Sequence, residues 1–300
     1  MSDKYFTDYT EAKSAKDTDI ALIHDGTGVK KISKANFLTD YAANDYLNKG
    51  RDLTVVFASE IANYTDEWAW VQARLNAGKV DDLRAGDYIP VTLSTGEYHE
   101  MQIAGICTYK GIFGGAVKTH IDWISRDCYS TGQKWNTANN NNGSSTEAQP
   151  FMASELYTWL NSTLKPLLPQ KVRDVIATKR LYMPTRYQNG SSLTDDNSWA
   201  DKSFTGLWLP FEGEVFDHCS WSTVKYGTAA MTQYELFKNS WKARMKRYGH
   251  EGSFCNWWLA SARSGGATTA VDVDRSGVSG YYDTSNVLGV PLCFRTSASS

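Results

Sequence analysis

Residues 255–266 read "CNWWLASARSGG". Alternation along an extended chain puts Trp257 and Leu259 on one face and Trp258 on the other. Bulky apolar groups on both faces mark a strand buried inside a sheet, so both tryptophans read as core. The sequence then changes character. Residues 264–289, "SGGATTAVDVDRSGVSGYYDTSNVLG", are small, polar and glycine-rich. Val271 and Val273 alternate with Asp272 and Asp274. Arg275-Ser276-Gly277 reads as a turn, and Tyr281-Tyr282-Asp283 follows on a returning strand or loop. Residues 289–295, "GVPLCFR", are apolar again and close the sheet. A rigid apolar frame therefore brackets a segment that no core constrains. That is the layout of a binding loop on a scaffold, and its Tyr, Ser, Gly and Asp content suits an adaptable contact surface. A plain solvated hairpin is the competing reading.

Upstream, the periodicity predicts helices on one side of the chain and strands at its end. Thr65-Asp66-Glu67 opens a helix whose Trp68, Val71 and Leu75 form one stripe, stopped by Gly78. Residues 85–109 read as two strands around Ser94-Thr95-Gly96, and 118–125 as a third. Residues 136–149, with four consecutive asparagines, read as an exposed loop. Ser154 caps a helix carrying Leu156, Trp159 and Leu160. Pro169 starts another with Val172, Val175 and Ile176 inward. Thr232 begins a last helix with Tyr234, Phe237, Trp241 and Met245 on one face, closed by Gly249. The expected class is α+β with an antiparallel sheet.

Residues 1–50 differ, containing no Trp. Ile20–His24 and Val29–Ile32 read as a hairpin about Asp25–Gly28, and Ser33 as the cap of a short helix to about Ala43. So small a piece buries little area and needs neighbours. Residues 48–52 read as a hinge between a segment 1–50 and a domain 53–300.

Composition narrows the chemistry. The 300 residues carry a net charge of −2, which favours neither nucleic acid nor an anionic membrane as partner. No apolar run is long enough to span a bilayer, and the N-terminus lacks the apolar core of a signal peptide, so synthesis in the cytoplasm is expected. The five cysteines are scattered, without metal-site spacing. The adjacent His218-Cys219 is a weak candidate for a thiolate nucleophile, because neighbours on a strand point to opposite sides. The 11 Trp and 17 Tyr serve cores and contact surfaces alike.

The stretch "NWWLASARSGG…GVPLCF" resembles the closing motif of a phage and prophage family with the C-type-lectin fold. "AGDYIPVTL", "HIDWISRDCY", "WNTANNNNG" and "SELYTWLNSTLKPLLPQKVRDVI" are similar to its other ordered blocks, over roughly residues 60–296. The family includes the variable receptor-binding proteins diversified by retroelements. "DTDIALIHDGTGVKKISKANFLTDY" is similar to N-terminal segments of phage tail and baseplate proteins.

The resemblance implies a C-type-lectin-like domain, a mixed antiparallel sheet with packed helices, behind a small virion-attachment and oligomerisation segment. It implies a tropism-determining tail protein, in the virion at the tail tip or fibre after assembly in the bacterial cytoplasm. Its ligand would be a host cell-surface protein or glycan. Other phage tail proteins would be partners, and a homotrimer the assembly. By position the variable surface, about 256–295, would offer Thr268, Thr269, Asp272, Asp274, Arg275, Ser276, Val278, Tyr281, Tyr282, Asp283 and Ser285 to the ligand. No nucleic-acid binding, membrane insertion or catalysis is implied. The alternatives are a structural tail or baseplate component and, less favoured, a glycan-active enzyme using Asp272 and Asp274. The formylglycine-generating enzymes share the fold, but their copper-binding cysteine pair is not recognisable. No cofactor is expected, apart from a candidate Ca²⁺ site at Asp272, Asp274 and Asp283.

Overall fold

A computed structural model describes residues 20–24, 29–33, 50–110, 117–143, 150–184, 199–222, 231–239, 241–263 and 265–299. The chain divides into two units, Met1–Lys49 and Gly50–Ser300. In the first, β1 (Ile20–His24) pairs antiparallel with β2 (Val29–Ser33), His24 opposite Val29. The hairpin follows the alternation; its turn and the helix expected after Ser33 lie outside the described residues.

The second unit is anchored from its first residues. Arg51 grips Asp87 through both carboxylate oxygens, at 3.1 and 2.7 Å. Asp52 accepts from Thr54 N at 2.9 Å and caps α1 (Leu53–Val56). The expected hinge is thus fixed to the domain from Gly50 onward. After α2 (Ala58–Ile61), α3 (Glu67–Ala77) starts at Asp66, whose Oδ1 accepts from Trp68 N and Ala69 N at 2.9 Å. It ends at Gly78 in the left-handed region and buries Trp68, Trp70, Val71 and Leu75.

β3 (Tyr88–Thr92), β4 (Tyr98–Ile106), β5 (His120–Cys128) and β6 (Gln133–Lys134) come next. Ser154 Oγ accepts from Tyr157 N at 3.0 Å and caps α4 (Glu155–Trp159), which widens into a π turn over Leu160–Leu164. α5 (Gln170–Arg173) is a single turn; Val172 is buried, while Val175 and Ile176 lie beyond its end, half-buried. β7 (Lys179–Pro184) pairs with β8 (Trp199–Phe204), and α6 (Glu212–Phe216) follows.

The helix expected from Thr232 to Gly249 is broken. α7 (Glu235–Asn239) is followed by a 3-10 turn over Trp241–Arg244 and then by β9 (Lys246–Arg247), paired with β10 (Phe254–Cys255). Tyr234 and Phe237 are buried, but Trp241 is 54% exposed. Burial of the Lys246 stem, with Nζ donating to the Ser125 and Arg126 carbonyls at 2.6 and 3.1 Å, overrides helical periodicity. The last strands are β11 (Trp257–Ala262), β12 (Thr269–Val273), β13 (Ser279–Asp283), β14 (Val287–Leu288) and β15 (Pro291–Ser297).

The main sheet is antiparallel in the order β15-β5-β4-β3. β5 is buried on both faces, with Trp123 meeting Trp68 edge-on at 5.1 Å. A second antiparallel sheet has the order β11-β12-β13. The molecule is thus mixed α+β with antiparallel sheets and short helices. β11 stands at the edge of its sheet, contrary to the interior position its bulk suggests. Its free edge is closed instead by loop chain: Gly289 O accepts from Trp258 N at 3.0 Å, and Pro210 O from Ala260 N at 2.9 Å. Trp257 and Trp258 are fully buried, and their Nε1 atoms donate to Arg244 O and Gln133 O at 2.7 and 2.8 Å. Both tryptophans are core, as the alternation implied, and their N–H groups find partners as buried indoles need.

Candidate ligand-binding surface

β12 and β13 form a hairpin whose register pairs Thr269 with Asp283, Val271 with Tyr281 and Val273 with Ser279. Side chains opposite one another share a face. One face therefore carries Val271, Val273 and Tyr281, and the other Ala270, Asp272, Gly280 and Tyr282. The two tyrosines are 37% and 45% exposed but look to opposite sides of the strand. At the tip, Asp274 Oδ1 accepts from Ser276 N, Ser276 Oγ and Val278 N at 2.7–2.9 Å. This local network fixes the turn and leaves Arg275, Ser276 and Val278 exposed. Thr268 and Asp283 are exposed at the other end, with Ser285 half-buried.

Two of the expected contact residues are withdrawn from this surface. Thr269 is buried, and Asp272 is fully buried on the Trp258 side of the sheet. Asn256 Nδ2 donates to Asp272 Oδ2 at 2.9 Å, while Oδ1 has no hydrogen-bond partner. Burial, with the nearby Asp274 charge adding to it, raises the Asp272 carboxyl to about 7. A raised carboxyl of this kind is what a glycosidase acid would need. Yet Asp272 is sealed from solvent and Asp274 is committed to the turn, so the pair does not flank an open cleft. The candidate Ca²⁺ set also separates. Asp283 is opposite Thr269 at one end of the hairpin, and Asp274 is at the other. Among the described residues, no group of three or more His, Cys, Asp or Glu side chains could hold a metal ion.

The hairpin is braced by residues distant in sequence. Glu212, at the start of α6 and fully buried, accepts from Ser220 N, Trp221 N, Ser222 N, Ser222 Oγ and Ser279 Oγ at 2.7–3.3 Å. One carboxylate thus holds loop 220–222 against β13. It seats Trp221, whose Nε1 donates to Ser279 O at 3.2 Å and whose ring meets Tyr281 edge-on at 4.7 Å. Arg263 lies over Tyr281, its Cζ 3.5 Å from the ring centroid. Trp221 and Arg263 therefore join the surface, although local sequence gave no signal for either. Beside them, burial pushes the Cys219 thiol up to about 12, so it is no ready thiolate.

The asparagine run is also more than an exposed loop. Asn141 is fully buried, and its Nδ2 donates to Gly266 O and Thr269 O at 2.6 and 2.7 Å. The amide pins the turn between β11 and β12 as a second backbone would. Asn136 is buried, and residues 137–140 are exposed. Residues 144–149 lie outside the described residues.

No curated protein and no solved structure matches the chain. One family matches residues 119–295, well over half of the chain, from the start of β5 through Arg295 in β15. That span takes in the braced hairpin and both strands that frame it, so the chain belongs to the family described as Domain of unknown function (DUF6273).

Proposed function

We propose that the protein is a phage tail receptor-binding protein, using a C-type-lectin-like domain to hold the β12–β13 hairpin against a ligand on the host cell surface. The observation that carries this reading is the contrast within the hairpin. Its backbone is fixed by Glu212, Asn141 and the Asp274 turn, to which Ser276 contributes, while Arg275, Val278, Tyr282 and Asp283 are exposed with little structural duty and Tyr281, braced by Trp221 and Arg263, is still 37% exposed. A rigid backbone bearing replaceable side chains lets contacts change without loss of fold. Exposed tyrosines supply large contact area at small entropic cost. The N-terminal unit would attach the protein to the virion, and a homotrimer would multiply weak contacts through effective concentration.

The test replaces Thr268, Arg275, Val278, Tyr281, Tyr282 and Asp283 together by Ser or Ala, leaving buried Thr269 and Asp272 untouched. The expected outcome is a melting curve close to the parent's, with adsorption to candidate bacterial hosts lost. Unchanged adsorption would move the receptor site off the hairpin, and collapse of the fold would make these residues structural.

A further inference from the structure

At the base of the hairpin two polar atoms have no partner. Arg263 Nε and Thr269 Oγ1 are both shut from solvent, and neither makes a hydrogen bond. They are neighbours: Arg263 N donates to Thr269 O at 3.1 Å. A methyl built on Gly266 would come within 2.7 Å of Thr269 Oγ1 and 3.5 Å of Arg263 Nη1, so only a glycine fits against this corner. The guanidinium is held by rings, with its Cζ 3.5 Å from the Tyr281 centroid and 5.6 Å from that of Trp221. Among the described residues no carboxylate pairs with Arg263, whereas Arg51, Arg74, Arg126 and Arg295 each hold one.

A guanidinium stacked on a ring keeps its donors in a plane parallel to that ring, directed past its rim. That fork matches a carboxylate with two parallel hydrogen bonds. Holding the cation in place before a ligand arrives lowers the ordering cost of binding. The partner's body would meet Tyr281, which is 37% exposed, with Trp221 edge-on beside it. A single exposed aromatic ring packs against the C–H face of a single sugar ring. An extended peptide would instead seek main-chain pairing along the outer edge of β13, and there the Ser279 carbonyl already accepts from Trp221.

We infer that Arg263, stacked on Tyr281 beside Trp221, binds the carboxylate of an acidic saccharide of the uronic or sialic acid type. This rests on the hairpin being the ligand-binding face and names the ligand class for it.

The experiment titrates the full chain by calorimetry with sialyllactose and a glucuronate disaccharide. Lactose is the neutral counterpart, and a Glu-rich peptide is the competing source of carboxylate. Arg263→Met and Arg263→Lys are compared with the parent after their melting curves are recorded. The acidic sugars should bind about 10- to 100-fold more tightly than lactose, the range of a charge-assisted hydrogen-bonded pair. Arg263→Met should remove that advantage, Arg263→Lys should keep part of it, and added salt should weaken it. If Arg263→Met melts early, Arg263→Lys decides. Equal binding of lactose, stronger binding of the peptide, no binding of either acidic sugar, or indifference to both substitutions overturns the assignment. Suppose the six-residue hairpin variant loses host adsorption while Arg263→Met keeps it. The surface then stands and the carboxylate assignment falls. If neither variant loses adsorption, both readings fall.

Discussion

Asp272 is where the hairpin's charge and the core's dryness conflict. In the unfolded chain its carboxyl ionises near 3.8, but in the folded chain burial holds the proton to about 7. The folded state therefore binds more protons between those values, and stability falls as pH rises from about 4 to 7. Three pH units correspond to on the order of 4 kcal/mol, the full difference being reached above neutrality. Asp272→Asn copies the neutral carboxyl and can still accept from Asn256. Thermal melts should show this variant more stable than the parent above pH 7, the gain shrinking toward pH 4. A variant less stable at every pH would mean that the ionised carboxylate is wanted where it is. Alternation correctly separated Asp272 from Val271, but it cannot tell a solvated face from one covered by Trp258.

At the scale of elements, bracing matters more than propensity. Glu212 is an anion surrounded by donors from loop 220–222 and β13. Glu212→Gln keeps the shape but turns an amide NH2 toward the backbone N–H groups of loop 220–222, which can only donate, leaving buried N–H groups unpaired at about 1–3 kcal/mol each. The expected result is a lower melting temperature with reduced ligand binding. Trp221 fluorescence should shift as the ring loses its seat beside Tyr281. Unchanged fluorescence and binding would show that loop 220–222 holds its position without the carboxylate. The same non-local character explains what could be read in advance. Helix 67–77, the strands at 88–106 and 120–128 and the buried Trp257-Trp258 pair rest on local period and caps, and were legible. Four things were hidden: Asn141 clamping Gly266, Glu212 seating Trp221, Arg263 finding Tyr281, and Lys246 breaking a helix. Asn141 and Lys246 depend on partners 125 and 121 residues away, and Glu212 and Arg263 on partners across a loop or hairpin, none of which spacing encodes.

In the whole second unit, distant segments are tied by buried charge. Arg295 in β15 holds both oxygens of Asp122 in β5 at 2.7 Å, and Tyr234 donates to the same carboxylate at 3.0 Å. Lys179 in β7 meets Glu214 of α6 at 2.6 Å, with its Nζ 3.7 Å from the Trp208 ring centroid. Burial alone would raise the Asp122 carboxyl, but Arg295 outweighs it and brings it to about 2. Its contribution is therefore present above pH 4 and lost as pH falls through 2. Asp122→Ala strands the Arg295 charge and should cost about 3–5 kcal/mol at pH 7, read from denaturant unfolding. A cost under about 1 kcal/mol, the size of a surface pair, would mean that water reaches the site.

By its sequence the first unit poses the opposite problem: Met1–Lys49 contains no Trp and offers little to bury. A two-stranded hairpin such as β1–β2 is marginal in water without neighbours that cover it. Copies of the same segment can supply that cover around a symmetry axis. The expected outcome is a trimer of 33.5 kDa chains in light scattering at micromolar concentration. A truncation beginning at Gly50 should keep the Arg51–Asp87 grip, melt cooperatively and run as a monomer. A monomeric full chain would remove the trimer. A trimeric truncation would place the interface in the second unit, where the exposed Val55 and Val56 of α1 are the first residues to substitute.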